Sequence, residues 1–155
     1  MKEIGTSVTG LRAGSVAKRR AAAAALGKSG MTEAIPALAA GLDDPYPAVR
    51  CEIVQALGRL ADSSAVPYLT GALDDAEPAV RTAALAALGR IRDPASVTAV
   101  AGLVNDRDPG VRIGAAVVLG RLGDRRAIAS LQRLLQDPFS EVREAAEEAL
   151  VRLRK

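Results

Sequence analysis

The chain has 155 residues, with 21 basic and 18 acidic side chains, one Cys, two Tyr, one Phe, and neither His nor Trp. Without His there is no His-based acid–base catalysis, no His-containing metal site and no Ser–His–Asp arrangement. A single Cys excludes an internal disulfide, no apolar run reaches transmembrane length, and the opening Met-Lys-Glu-Ile-Gly lacks the apolar stretch of a signal peptide; a cytoplasmic location is expected.

Alanine is the commonest residue, with 32 copies. So many small side chains and so few aromatics suit thin helix-on-helix layers better than one thick core. The order of residues supports this. Val-Arg stands at Val49-Arg50, Val80-Arg81, Val111-Arg112 and Val142-Arg143, always 31 residues apart. Lys18-Arg19 holds the same place one period earlier. Leu-Gly recurs at Leu26-Gly27, Leu57-Gly58, Leu88-Gly89 and Leu119-Gly120 and ends as Leu150-Val151. Ile4, Ile35, Val66, Val97 and Ile128 form another column; Leu11, Leu42, Leu73, Val104 and Leu135 form a fourth. Asp44, Asp75, Asp106 and Asp137 form a fifth, with Ala13 in the first copy. The constant offset divides the chain into five units, 1–31, 32–62, 63–93, 94–124 and 125–155.

Each unit reads as two helices. The first covers positions 3 to 12, with apolar residues at 4, 7 and 11 on one helical face. Asp62, Asp93 and Asp124 precede it as N-caps, and Pro36 and Pro67, set slightly deeper, predict a late start or a kink. Turn residues follow, as in Asp43–Pro47. The second helix runs from position 16 to 29, with Pro47, Pro78 and Pro109 at its first turn. Its buried stripe falls at positions 18, 22, 25, 26 and 29, which in the second unit are Val49, Ile53, Ala56, Leu57 and Leu60. Neither helix can bury its face alone, so the pairs must stack into one all-α solenoid domain, a right-handed α-α superhelix of ten helices.

The pattern Asp-x-x-x-x-Val-Arg-x-x-Ala-x-x-Ala-Leu-Gly, led by a short Ala-Ile/Val-Pro-x-Leu helix, resembles the short HEAT-like repeat of the phycobilisome-lyase type over the whole chain. The resemblance implies the α-solenoid but no single activity, because that family includes chromophore-lyase subunits, phycobilisome-degradation factors, iron hydroxylases and scaffolds. The iron hydroxylases hold metal through His-Glu pairs, and with no His here that activity does not carry over.

Four equivalent Asp and Arg pairs, Asp44 with Arg50, Asp75 with Arg81, Asp106 with Arg112 and Asp137 with Arg143, predict a structural ladder of charge-assisted hydrogen bonds rather than an active site. Gly27-Lys28-Ser29 lacks the upstream Gly of a phosphate-binding loop, and Asn105–Asp108 lacks the Gly and Glu of a calcium loop. Cys51 is expected on an accessible face, with Arg20 one unit away as the group that could lower its pKa.

Net charge by unit runs +5, −3, −1, 0 and +2. The first and last units also break the columns, as capping units do. On the second helices, positions 17, 20, 21, 24 and 28 should face outward, on the concave side that such repeats line with this helix. A partner-binding groove is expected there, formed by Cys51, Gln55, Arg59, Thr82, Ala86, Arg90, Ile113, Val117 and Arg121. Its centre is small and apolar, its rim basic, and such a surface suits a protein partner.

The function expected is that of a monomeric, noncatalytic protein-binding scaffold with no cofactor and no metal. An accessory subunit of a chromophore lyase is the second reading. Nucleic-acid binding is the third; the missing aromatic platforms argue against it.

Overall fold

Proline fixes φ near the helical value and lacks an N–H, so it fits the first turn of a helix and little else within one. In the computed structural model, which describes residues 2–155, with side chains from residue 5 onward, the long helices of the three middle units begin on such prolines. The order of elements is α1 (Lys2–Gly10), α2 (Val16–Lys28), α3 (Ile35–Ala39), α4 (Pro47–Leu60), α5 (Val66–Ala72), α6 (Pro78–Ile91), α7 (Val97–Gly102), α8 (Pro109–Leu122), α9 (Ile128–Leu134) and α10 (Ser140–Arg154). The described residues contain no strand. The even-numbered helices from α4 onward start 31 residues apart, each in the position the sequence predicts. The protein is an all-α solenoid.

The first helices are shorter than expected. Thr32–Ala34, Ser63–Ala65, Pro94–Ser96 and Arg125–Ala127 form single 3₁₀ turns, and only then does the α-helix begin. Asp62, Asp93 and Asp124 cap these turns, accepting from the N–H of Ser64, Ala95 and Arg126 at 2.8 Å each. Pro36 and Pro67 then sit in the first turn of α3 and α5, where they leave the helical ladder intact. Ile4, the first member of its column, lies outside the side chains described.

The expected stripe is buried: Val49, Ile53, Ala56 and Leu57 are at most 1% exposed, and Leu60 is buried too. Position 23 is buried as well, in Ala23, Val54, Leu85 and Ala116. One stripe cannot account for that. A second helix in the middle of the array must pack on its own first helix and on the second helices before and after it. At the joint between α6 and α8 the two sides are matched in size. Large Leu85 meets Gly114, whose missing Cβ would otherwise sit 3.1 Å from the Leu85 Cδ1.

The Leu-Gly column explains how the layer closes. A Cβ on Gly27 would lie 2.7 Å from the Ala56 Cα, and one on Gly58 2.9 Å from the Ala87 Cα. Each glycine therefore lets the backbone of the next second helix come close. In the last unit the same positions carry Glu147 and Val151, both exposed.

Candidate functional site

Along the turn edge, the Asp and Arg columns meet, but not in the pairing that six-residue spacing suggests. Arg50 donates from Nη1 to the Asp44 carbonyl at 2.8 Å, and from Nε and Nη2 to the carboxylate of Asp75, 25 residues on, at 2.7 and 2.9 Å. Arg81 treats Asp75 and Asp106 in the same way, and Arg112 treats Asp106 and Asp137. Arg19 adds a rung to Asp44 from the first unit. The contact within a unit thus goes to a backbone carbonyl, and the ion pair goes to the next unit. Arg143 has its own-unit contact to the Asp137 carbonyl at 2.7 Å, and no carboxylate partner among the described residues.

Each rung is dense in hydrogen bonds. The carboxylates of Asp44, Asp75, Asp106 and Asp137 also accept the N–H two residues on, which closes the turn. The side chains of the four ion pairs are between 7% and 14% exposed. The hydrogen bonds from Arg50 and Arg112 hold Asp75 and Asp137 below the usual carboxylate range. For Asp44 and Asp106, burial is the largest influence and pushes upward, yet the arginine and backbone hydrogen bonds together outweigh it and the net direction is down. Two rungs carry an aromatic cover unseen in the sequence: Arg19 lies 5.6 Å from the Tyr46 ring centre and Arg112 5.7 Å from that of Phe139. A paired, repeated and largely enclosed array of this kind ties neighbouring units together.

The expected groove residues share the outward side of α4, α6 and α8. Gln55, Arg59, Thr82, Ala86, Arg90 and Arg121 are exposed; Cys51, Ile113 and Val117 are half-buried. Position 21, expected to face outward, is half-buried in units two to five, because it borders the joint with the preceding helix. Between α4 and α6 lies a shallow dent of about 250 Å³, lined by Gln55, Gly58, Arg59, Ala83, Ala86, Ala87 and Arg90. Gly58 and Ala87, which also line it, were not among the expected groove residues, since both belong to the joint.

Position 28 is basic in every unit, as Lys28, Arg59, Arg90, Arg121 and Arg152, but these side chains are not in equivalent surroundings. Arg59 donates to Glu52 at 3.2 Å and to Gln55 at 3.4 Å, and Glu52 also stands 3.8 Å from Arg20. Arg90 and Arg121 are exposed and have no ion-pair partner among the described residues. The Cδ of Arg121 lies 3.8 Å from where a Cβ on Gly89 would be, and the Cδ of Arg152 is 3.7 Å from that of Gly120. Each arginine stem therefore lies along the glycine of the preceding unit.

Cys51 is half-buried, and the lowering of its pKa that Arg20 could have provided is not what its surroundings produce. Burial pushes its pKa up, Asp75 adds to this, and Arg50 and Arg20 do not reverse it. Among the described residues no group of His, Cys, Asp or Glu is placed to hold a metal ion, and no helix is long and apolar enough to cross a membrane.

Stacked helix pairs, tied by a charge ladder and by glycine contacts, define a repeat protein of the HEAT and armadillo kind. The family model of HEAT repeats matches residues 8–85 and 71–151, and the chain belongs to that family. It is similar to the complex of CpcE and CpcF of phycocyanin lyase from Nostoc sp. PCC7120, at 28% identity and a TM-score of 0.82, covering 97% of this chain and 64% of that one. The chain thus spans less than two thirds of that relative's length. A designed armadillo repeat protein in complex with the peptide (KR)4 shares the fold at 19% identity and a TM-score of 0.72, covering 97% of this chain and 81% of the other. Human deoxyhypusine hydroxylase does so at 18% identity and a TM-score of 0.55, covering 97% and 84%. No curated protein matches the sequence.

Proposed function

We propose that the protein is a noncatalytic scaffold that binds another protein along the second-helix face of units two to four. The observation that carries this reading is the row of small or apolar residues on the outward side of α6 and α8: Thr82 and Ala86 are exposed, and Ile113 and Val117 are half-buried, Ile113 against the edge of the core. Water disfavours such a surface, and a solenoid offers it as one continuous strip across several units. The chain acts as a monomer in a reducing, cytoplasmic setting, in keeping with its one thiol; units one and five serve as caps.

The test compares Val117→Glu with Glu148→Lys, measuring the melting temperature of each and the retention of proteins from the source lysate. An intact fold with binding lost only in Val117→Glu supports the scaffold reading. Unchanged binding, or collapse of the fold, refutes it.

A second reading, as an accessory subunit of a phycobiliprotein chromophore lyase, is favoured by the likeness to CpcE and CpcF over nearly the whole chain. Titration with a bilin separates the two. An absorbance shift on mixing favours the lyase role; an unchanged spectrum favours the scaffold.

A further inference from the structure

We infer that the occupant of the second-helix groove is an extended acidic segment of a partner protein, with carboxylates at every third residue. The inference rests on the scaffold reading above and adds the chemistry of what that surface holds. Its basis is the contrast between the two arginine columns. The ladder arginines Arg19, Arg50, Arg81 and Arg112 are each largely enclosed and paired with a carboxylate of the next unit. In the position-28 column, Arg59 is already engaged by Glu52, whereas Arg90 and Arg121 project from the surface with no carboxylate partner among the described residues. These two flank the strip that carries Ala86 and Val117.

Spacing selects the conformation of the occupant. Second helices that meet through glycine and alanine stack about 8–10 Å apart. A polyproline II segment has three residues per turn and a rise of about 3.1 Å per residue, so every third side chain falls on one face about 9 Å from the last. Carboxylates in that register meet one arginine per unit. The two residues between them turn toward the small apolar strip. The dent between α4 and α6, about 250 Å³, admits a side chain or two but not a helix some 10–12 Å across.

A nucleic acid would also satisfy the positive charge, but its bases call for stacking platforms. Tyr46 and Phe139 are exposed, but they lie beside ladder arginines in the turns before α4 and α10 and not among the groove residues, and Tyr68 borders a dent on the first-helix side with Ile35 and Pro36. The observations therefore favour a polypeptide.

The experiment uses fluorescein-labelled synthetic peptides and anisotropy with the full chain. One peptide repeats Glu-Ala-Pro four times, one repeats Lys-Ala-Pro, and one has the first composition with its four Glu clustered at one end. The Glu-Ala-Pro peptide is expected to bind and to weaken as salt rises to about 0.15 M. Arg90→Glu with Arg121→Glu should lower its affinity about tenfold or more, as expected for two exposed ion contacts. Arg90→Gln with Arg121→Gln should fall between, with unchanged melting in both variants.

The inference is overturned by no binding, by equal binding of the Lys or clustered peptides, or by indifference to both arginine pairs. Displacement of the acidic peptide by oligothymidylate at equal concentration also overturns it. A protein partner lost with Val117→Glu but kept by the Arg90→Glu, Arg121→Glu variant would leave the scaffold role standing and remove the acidic segment alone.

Discussion

Gly58 and Ala87 form the tightest joint in the middle of the array: a Cβ on Gly58 would lie 2.7 Å from the Ala87 Cβ and 2.9 Å from its Cα. Helix propensity alone favours Ala over Gly by about 1 kcal/mol. At Gly58 overpacking should reverse that sign, because the obstructing atoms include backbone, and forcing extra carbon into a tight contact costs about 1–3 kcal/mol. Gly71, in α5, has open space around its missing side chain. Gly58→Ala should therefore lower the urea midpoint and Gly71→Ala should raise it slightly. Two shifts of the same sign would refute the account of the joint.

The ladder makes a graded prediction. Arg112→Ala removes the partner of the Asp137 carboxylate and the donor to the Asp106 carbonyl, and Arg81→Ala does the same one unit earlier. Stranding a mostly enclosed carboxylate in this way should cost about 2 kcal/mol or more. Arg143→Ala should cost less, because Arg143 holds only backbone carbonyls. Arg90→Ala, on the surface, should move the melting temperature least. Equal shifts for all four would remove the distinction between the two arginine columns.

The direction of the aspartate shifts fixes a pH dependence. Asp44, Asp75, Asp106 and Asp137 are held below their ordinary values in the folded protein. Above about pH 5, both folded and unfolded chains are ionised at these sites, and the stabilisation is fully present. As pH falls below about 4, the unfolded chain takes up protons first, so stability falls until the folded carboxylates titrate as well. Urea midpoints should be flat from neutrality down to about pH 5 and then drop. Asp75→Asn should be less stable at neutral pH and show a shallower acid decline. An equally steep decline in that variant would assign the acid sensitivity elsewhere.

The last unit should stop the array from continuing. Glu147 stands where Ala23, Val54, Leu85 and Ala116 are buried against a following helix, and Val151 replaces the joint glycine and is 53% exposed. The receiving positions of the first unit, Ala21 and Ala25, are exposed. Glu147→Val together with Val151→Gly should therefore give head-to-tail association that grows with concentration in sedimentation velocity. A strictly monomeric double variant would show that those two residues are not what closes the edge.

Much of this was legible in the sequence, for a physical reason. A repeat forces the same environment on every thirty-first residue, so columns such as Val49, Val80, Val111 and Val142 announce burial without any coordinates. The prolines at 47, 78 and 109 also fixed the starts of the long helices. What escaped belongs to contacts between units. The burial of Val54 and Leu85 is invisible to a one-stripe reading, because a helix enclosed on three sides has no single apolar face. The Arg50 partner was sought six residues away and lies 25 away, because a solenoid brings neighbouring turns closer than the intervening helices suggest. Exposed residues of position 24, such as Gln55 and Ala86, were identifiable because that position changes from unit to unit, and Arg90 because its position is basic in every unit; how Glu52 engages Arg59 while Arg90 has no such partner was not.

Both kinds of tie lie in the layer of second helices: the ladder at their N-terminal ends and the glycine contacts near their C-terminal ends. Among the described residues, the first helices touch the next unit more lightly than the second helices do. Mechanically, the second-helix layer is then the inextensible sheet of a laminate and the first-helix layer its compliant backing. If the solenoid bends, the spacing between units should change in the backing while the length along the tied layer stays constant. A ligand lying on that layer would ride through such bending unstretched, as paint survives on the neutral surface of a beam.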